Sequence, residues 1–467
     1  MHKYAIIFLE FFLKEGEYAM TKTDSKENQI VNGVIWKQIL IFFFPIAIGT
    51  IFQQLYNTAD TIIVGRFVGT AALASVGGTA SVVTYQIVMI FTGLSSGATV
   101  IISHCFGSGD TERLHQGLHT AFAFAIITSF VLSIVGWFAT PWILEVTKTP
   151  ADIIDSSITY LRIYFIGILA TFIYNMGSSI MRAIGDSKRP LYYLIICCFL
   201  NIGLDLLFII VFKFGIAGAA IATIISQAFS AILIVRSLTK DYDQLKLELR
   251  KIRIHPALLK SELRIGLPAC IQTIMYGITN IIIQTFVNSF GTITAAAWAA
   301  LGKVDVIFWA VNGAFGIAVT TFCGQNYGAG KLDRVYKSVR VSLGIALVVG
   351  SSLLGILALL ARPIFGLFTT DTNVIEIGVY MLLFMIPSYV VYIFVEIFTG
   401  ALRGVGDVMI PTIITLCGVG LVRLPWLLIM MPIRNELSTV MISYPLAWAA
   451  TALFMIPYYF YKKKKGF

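Results

Sequence analysis

The chain has 467 residues, of which 58% are hydrophobic and only 12% charged, far from the roughly 25% charged residues of an average soluble domain. Runs such as 38–59, 191–211 and 341–360 hold the roughly 20 residues a helix needs to cross about 30 Å of hydrocarbon, so a soluble protein and a β-barrel of short alternating strands are both excluded. The net charge of +10 would suggest nucleic acid in a soluble protein; here it reads as membrane topology.

Residues 1–32 form an N-terminal segment. Lys3 and an apolar stretch open it, but Glu10 interrupts that stretch and no small-residue cleavage pattern follows. A signal peptide is therefore not expected, and Met20 is an alternative start. Twelve spans follow, at about 36–62, 71–104, 115–138, 158–181, 190–212, 215–236, 265–288, 293–323, 339–360, 376–401, 411–432 and 438–460. They predict an all-α membrane protein of two six-helix lobes, 33–238 and 261–460, with a linker over 239–260 and a basic tail over 461–467. With the N-terminus inside, the outer loops hold only Arg66, Lys148, Lys213, Arg362 and Arg434. The excess of Lys and Arg on the other side predicts cytoplasmic termini and a multi-pass protein of the cytoplasmic membrane. Lys462 to Lys465 read as a topology anchor, or alternatively as an attraction to anionic lipid. The six cysteines form no CxxC or Cys/His cluster and are expected to be free thiols.

The chain repeats itself about its middle. Arg182-Ala-Ile-Gly185-Asp186-Ser-Lys-Arg-Pro190 recurs in the second half as Arg403-Gly-Val-Gly406-Asp407-Val-Met-Ile-Pro411. The same displacement carries Phe106-Gly107-Ser108-Gly109 to Tyr327-Gly328-Ala329-Gly330. Six helices per unit is even, so both halves enter the membrane in the same sense, a parallel repeat suited to alternating access around a central cleft. In the R-x-x-G-D-x-x-x-P pattern Gly can end one helix, Asp can cap and Pro can begin the next; a gate is the alternative reading. The glycine-rich pieces match neither a P-loop nor a dinucleotide fingerprint. No cofactor and no nucleotide is expected, and an ion gradient is left as the energy source.

A charge at mid-membrane costs at least about 2.5 to 3.5 kcal/mol, so each one is a functional candidate. Asp60, Asp205, Glu396 and Arg423 qualify, with Arg162, Lys303 and Asp305 nearer helix ends. Asn201 and Asp205 share a helix face at i, i+4. Counting about 1.5 Å per residue from the span ends brings Asp205, Thr223 and Asp60 to similar depth. Asp60, Asn201, Asp205 and Thr223 can therefore converge, and two acids in a poorly solvated place call for a cation, H⁺ or Na⁺. Internal hydrogen bonding and a helix cap are the alternative for this set. Glu396 either pairs with Arg423 or attracts a cationic substrate. Pro45, inside the first span, removes a backbone hydrogen bond and allows a bend, static or functional. Gln53, Asn57, Gln272, Tyr276, Asn280, Trp309 and Asn312 form helical stripes that suit either hydrogen bonds between helices or, with Glu396, a cavity for amphipathic organic cations. His104, His115 and His119 have no nucleophile and acid arranged beside them, so catalysis is not expected.

Pro45, the stretch Gln53-Gln-Leu-Tyr-Asn57-Thr-Ala-Asp60, the Asn201/Asp205 pair with Thr223, and the duplicated Arg182 and Arg403 motifs together resemble the multidrug and toxic compound extrusion (MATE) transporters over about residues 33–460. The resemblance implies two lobes in a V that exchange inward-open and outward-open states and export drugs against H⁺ or Na⁺. Within the family it points to the branch typified by DNA-damage-inducible protein F, where residues matching Asp60, Asn201, Asp205 and Thr223 bind the coupling ion and a proline matching Pro45 bends the first helix. Another branch uses acids on its seventh and tenth helices, where this chain has Tyr276 and Tyr392. The expected activity is cation-coupled antiport of amphipathic compounds by a monomer surrounded by membrane lipid. A lipid-linked precursor flippase and a narrow metabolite exporter of the same superfamily are the rivals.

Overall fold

The computed structural model describes residues 28–467; the expectations for a signal peptide and for a start at Met20 concern residues outside the described ones. The described chain is helical nearly throughout. In chain order it forms α1 (Ile35–Phe67), α2 (Ala71–Ser108), α3 (Thr111–Val146), α4 (Ala151–Ile166 with Ile168–Ala183), α5 (Lys188–Val211) and α6 (Gly215–Lys240). The second set is α7 (Pro256–Ser289), α8 (Thr292–Val304 with Val306–Gly328), α9 (Leu332–Leu359), α10 (Thr372–Gly404), α11 (Met409–Ile433) and α12 (Leu437–Lys465). Eleven of these are long and apolar enough to cross a membrane, and α4 makes a twelfth crossing if its two pieces, bent by 50° at Gly167, count as one.

Three differences from the predicted spans have local causes. The span at 158–181 starts earlier and is broken at Gly167, whose own amide bonds back to Ile163 and Tyr164. The span at 293–323 is interrupted at Asp305. At the far end α12 continues through Lys465, so the four lysines occupy its last turn, where cations complement the helix dipole. Lys462 bonds Asp407 at 2.9 Å, and Lys463 lies over the Tyr336 ring.

The repeated motif closes α4 and opens α5, and again closes α10 and opens α11. Gly185 and Gly406 take φ of +98° and +88°, the left-handed region that glycine enters without strain. Asp186 caps α5, its Oδ1 accepting from the amides of Lys188 and Arg189 at 3.1 Å. Each motif aspartate also accepts a tyrosine hydroxyl at 2.7 Å, Asp186 from Tyr242 and Asp407 from Tyr458. Burial first, and the facing Asp186 carboxylate second, hold the Tyr242 hydroxyl well above its usual pKa.

The lobes meet at the end where the described chain begins and ends, and they do so with two-fold symmetry. His104 Nε2 bonds the Gly404 carbonyl at 2.7 Å, and Gln325, its counterpart in the repeat, donates to the Ala183 carbonyl at 2.7 Å. A Cβ on Gly107 would strike the Gln325 carbonyl, and one on Gly328 would strike the His104 carbonyl, so both glycines are required by the same close crossing of α2 and α8. The short helix Gln29–Asn32 covers the junction: Asn28 donates to Gln325 Oε1 at 3.0 Å, and Arg334 donates to the carbonyls of Ile30 and Gly33. Higher up, Phe43 of α1 stacks on Phe315 of α8 with centroids 4.0 Å apart, and Gln86 of α2 reaches the Thr273 carbonyl of α7.

Away from these contacts burial falls off along the helices. Residues 50–59 of α1 and 271–278 of α7 include no buried residue, whereas 318–326 of α8, at the sealed end, are all buried. The linker between the lobes is docked by histidines: Glu248 N donates to His119 Nε2 at 3.1 Å, Lys246 N to His115 Nε2 at 3.5 Å, and His255 N to Thr120 Oγ1 at 3.1 Å. The three histidines singled out in the sequence thus hold backbone, His104 across the lobes and His115 and His119 at the linker.

Candidate functional site

The four residues selected for a cation meet inside the first lobe. Asn201 and Asp205 of α5 are 0% exposed, and Asp60 of α1 and Thr223 of α6 are 8% exposed. Asp60 and Asp205 are neighbours where α1 packs on α5. Thr223 Oγ1 donates to the Ala219 carbonyl at 3.0 Å and accepts from the Tyr56 hydroxyl at 3.5 Å. Asp60 Oδ1, both amide atoms of Asn201 and both carboxylate oxygens of Asp205 have no hydrogen-bond partner.

An unpaired buried polar atom costs about 1–3 kcal/mol, and a charged one more. The set is therefore incomplete as it stands. Two carboxylates, an amide oxygen and a hydroxyl are hard ligands that suit a proton or an alkali cation; among the described residues no three His, Cys, Asp or Glu gather as a transition metal would ask. Directly after Asp205, α5 is wound as a π-helix over Leu206–Val211, a departure frequent at functional sites. Pro45 lies some fifteen residues from Asp60, roughly 22 Å along α1, beside the Phe43–Phe315 stack, and α1 continues through it without interruption.

Sequence reasoning missed the neighbours of this set. Tyr56 lies one turn before Asp60, and Tyr160 of α4 flanks both acids; the i, i+4 spacing of Tyr56 and Asp60 was a readable signal, whereas Tyr160 carried none. Ser226 and Ser230 continue the Thr223 face of α6, buried and with unpartnered hydroxyls.

The residues selected for substrate divide. Gln53 is half-buried and Asn57 exposed on the unburied stretch of α1, and Asn280 is exposed just beyond that of α7. Gln272, Tyr276, Trp309 and Glu396 gather in the second lobe: Tyr276 neighbours Gln272 and Tyr392, and Tyr392 is the hydrogen-bond neighbour of Glu396. Asn312 is buried with both amide atoms unpartnered. Around them stands an aromatic cluster that the sequence did not announce. Trp309 meets Tyr392 at 5.0 Å, Tyr389 at 5.7 Å and Trp448 at 5.8 Å between centroids. Asp305, expected near a helix end, anchors this cluster by accepting from Trp309 Nε1 at 3.1 Å and the Tyr389 hydroxyl at 2.8 Å.

Of the two readings of Glu396, the pair with Arg423 is not formed. The Glu396 carboxylate packs on Gly316 of α8 with Arg403 as its nearest cation. Arg423 turns instead toward α12, its guanidinium 4.1 Å over the Tyr444 ring and 5.9 Å from that of Trp448. Arg162 likewise lies over a ring, that of Trp137, at 5.1 Å. A further acid escaped the sequence reading: Glu262 of α7, 3% exposed, with neither oxygen partnered, its backbone pressed against Gly97 of α2 at the lobe junction.

Comparison with known proteins agrees with this architecture. The sequence profile of the MatE family matches residues 45–207 and 268–429, once in each lobe. The chain is 28% identical over 440 residues to the probable multidrug resistance protein YoeA of Bacillus subtilis, covering 92% of this chain and 95% of that protein. It is 26% identical over 410 residues to an FAD transporter of Shewanella oneidensis, covering 85% and 88%. A solved multidrug resistance MATE family transporter of the MOP superfamily, in an outward-facing conformation, superposes with a TM-score of 0.87 over 95% of this chain and 99% of that one, at 21% identity. The duplicated lobes and the matched profile together give one conclusion: the chain belongs to the MatE family of transporters.

Proposed function

We infer that this transporter exports amphipathic organic compounds in exchange for H⁺ or Na⁺, and that Asp60, Asn201, Asp205 and Thr223 bind the coupling ion, as in the branch of the family typified by DNA-damage-inducible protein F. The observation that carries this reading is the buried, unpartnered carboxylate pair, which needs a cation and has one member, Asp60, on α1, the helix that also makes the lobe contact at Phe43. In the orientation with both termini in the cytoplasm of a cytoplasmic-membrane protein, the sealed end faces inward and the unburied stretches of α1 and α7 face outward. Ion entry from outside at Asp60 and Asp205 satisfies the orphaned oxygens. Export follows if the ion and the substrate favour different lobe arrangements. The aromatic cluster with Glu396 supplies cation–π and carboxylate attraction for a cationic amphiphile, and the multidrug resistance relatives accord with such cargo.

A second reading, a narrow metabolite exporter, is favoured by the FAD transporter relative. Efflux of ethidium from proteoliposomes, with H⁺ and Na⁺ gradients imposed separately, decides between them. Gradient-driven efflux is expected under one ion; no efflux under either ion overturns the drug-export reading.

A further inference from the structure

We propose that the interior of the second lobe is a binding site for an oxyanion carried on an aromatic frame, with Arg423 as its anchor. The proposal goes beyond the exporter reading, adding an anion-binding group at Arg423 to the cation attraction at Glu396; it rests on that reading for transport, while the binding site itself stands on the geometry below.

Arg423 is 1% exposed. It makes no ion pair and no hydrogen bond among the described residues, and its Nε and Nη2 are buried without a partner. Removing a guanidinium from water is unfavourable unless its donors meet acceptors. The face of Tyr444 compensates the charge in part, but a ring offers nothing to the N–H groups in the guanidinium plane. Those donors form the rigid fork that matches a carboxylate or a phosphate in two parallel bonds.

The surroundings fit the rest of such a ligand. The hydroxyls of Tyr276 and Tyr392 lie near the guanidinium, and the rings of Tyr276, Trp309, Tyr392 and Tyr444 are only half-buried. Partly exposed aromatic residues thus stand beside a buried, unpaired cation, a combination that suits a ligand whose apolar body is oriented by a few polar groups. The backbone is also irregular here, since α11 is π-wound over Gly418–Arg423 and ends that winding on Arg423 itself.

The pseudo-symmetry sets the site apart from the ion site. The displacement that relates the two repeated motifs carries Asn201 to Val422 and Asp205 to Trp426. At the positions where α5 of the first lobe carries Asn201 and Asp205, α11 of the second carries no acid and has Arg423 next to them, while the acids of that lobe, Asp305 and Glu396, stand on α8 and α10. Tyr276 and Tyr392 neighbour both Glu396 and Arg423. A ligand bearing an oxyanion on an aromatic frame satisfies Arg423 without displacing Glu396 from Gly316.

The test is calorimetric binding to the full-length protein in nanodiscs, with empty nanodiscs subtracted, using 2-naphthoate, 2-naphthyl phosphate and the uncharged 2-naphthamide. At least one anion is expected to bind wild type about tenfold or more tightly than the amide, and which of the two binds better tells carboxylate from phosphate. Arg423→Gln should remove that preference and leave the weak amide binding, Arg423→Lys should retain part of it, and Arg362→Gln, at an exposed arginine away from the lobe interior, should keep it whole. Equal binding of all three compounds to wild type overturns the proposal without any variant. So does an anion preference that survives in a folded, monodisperse Arg423→Gln protein. Ethidium efflux from proteoliposomes made with the same purified proteins reports separately on the exporter reading, so failure of transport with retained anion preference, or the reverse, identifies which inference has fallen.

Discussion

The two lobes share a frame and differ in their interiors. The frame is repeated almost residue for residue: Gly185 and Gly406 in the same left-handed turn, Asp186 and Asp407 each bound by a tyrosine hydroxyl, Gly107 and Gly328 under reciprocal carbonyls, His104 and Gln325 reaching across to the opposite lobe. The interiors differ, with a carboxylate pair and an amide in one, and an aromatic cluster with two separate acids and an unpaired arginine in the other. What is kept is what lets two lobes meet at one end; what has changed is what each lobe can hold. At the crossing of α2 and α8 each of these residues faces its counterpart's neighbours, which places the two lobes under a shared constraint there. The lobe interiors carry no such constraint.

That contrast can be broken in graded ways. The largest effect is expected at the acid pair: Asp60→Asn should lower gradient-driven ethidium efflux by about tenfold or more with little loss of folded protein, because it removes a charge the interior cannot satisfy alone. Unchanged efflux would place ion coupling elsewhere. Next come the crossing glycines. Gly107→Leu and Gly328→Leu each force a side chain into a carbonyl, overpacking of about 1–3 kcal/mol, which is about a 5- to 150-fold change in the balance of lobe arrangements. Spin labels at Lys188 and Met409, exposed equivalents in the two lobes, should report a longer distance at the sealed end in both variants; a change in one alone would break the symmetry argument.

Smaller effects sharpen the frame. Tyr242→Phe and Tyr458→Phe each remove a hydrogen bond to a carboxylate, about 1.5–3 kcal/mol, and thermal unfolding should fall by similar amounts in the two. The smallest effect is at the linker. Burial, and after it Arg253 and His119, hold His255 below the usual histidine pKa, so the folded state prefers its neutral form, in which Nε2 accepts from Arg253 at 3.2 Å. This contribution is present above the unfolded value of about 6.5 and is lost as pH falls through the lower folded value. Amide exchange in residues 246–255 should therefore quicken on acidification, and His255→Gln should flatten that response.

The sequence carried the frame because the frame is periodic: apolar length fixes the spans, and a motif repeated at one constant displacement reveals the lobes. It also carried the acid set, since Asp205 in an apolar helix has few explanations and Asn201 shares its face. It did not carry the second interior. Trp309, Tyr389, Tyr392, Tyr444 and Trp448 come from three helices, and aromatic residues are common in any membrane span, so only their assembly makes them informative. The Glu396–Arg423 pair failed for a related reason: opposite charges in neighbouring helices suggest pairing, but the guanidinium found a ring and the carboxylate found the space over Gly316. Glu262 was hidden near a helix start, where an acid looks solvated until the other lobe covers it.

The central claim is that the first lobe couples the ion while the second holds the substrate. It is tested most directly by measuring ethidium affinity and gradient-driven ethidium efflux on one preparation of Asp205→Asn. Binding within about twofold of wild type together with efflux reduced to the protein-free background is the predicted result. Efflux retained at the wild-type rate, or binding lost along with efflux in a folded protein, would contradict the division of labour between the lobes.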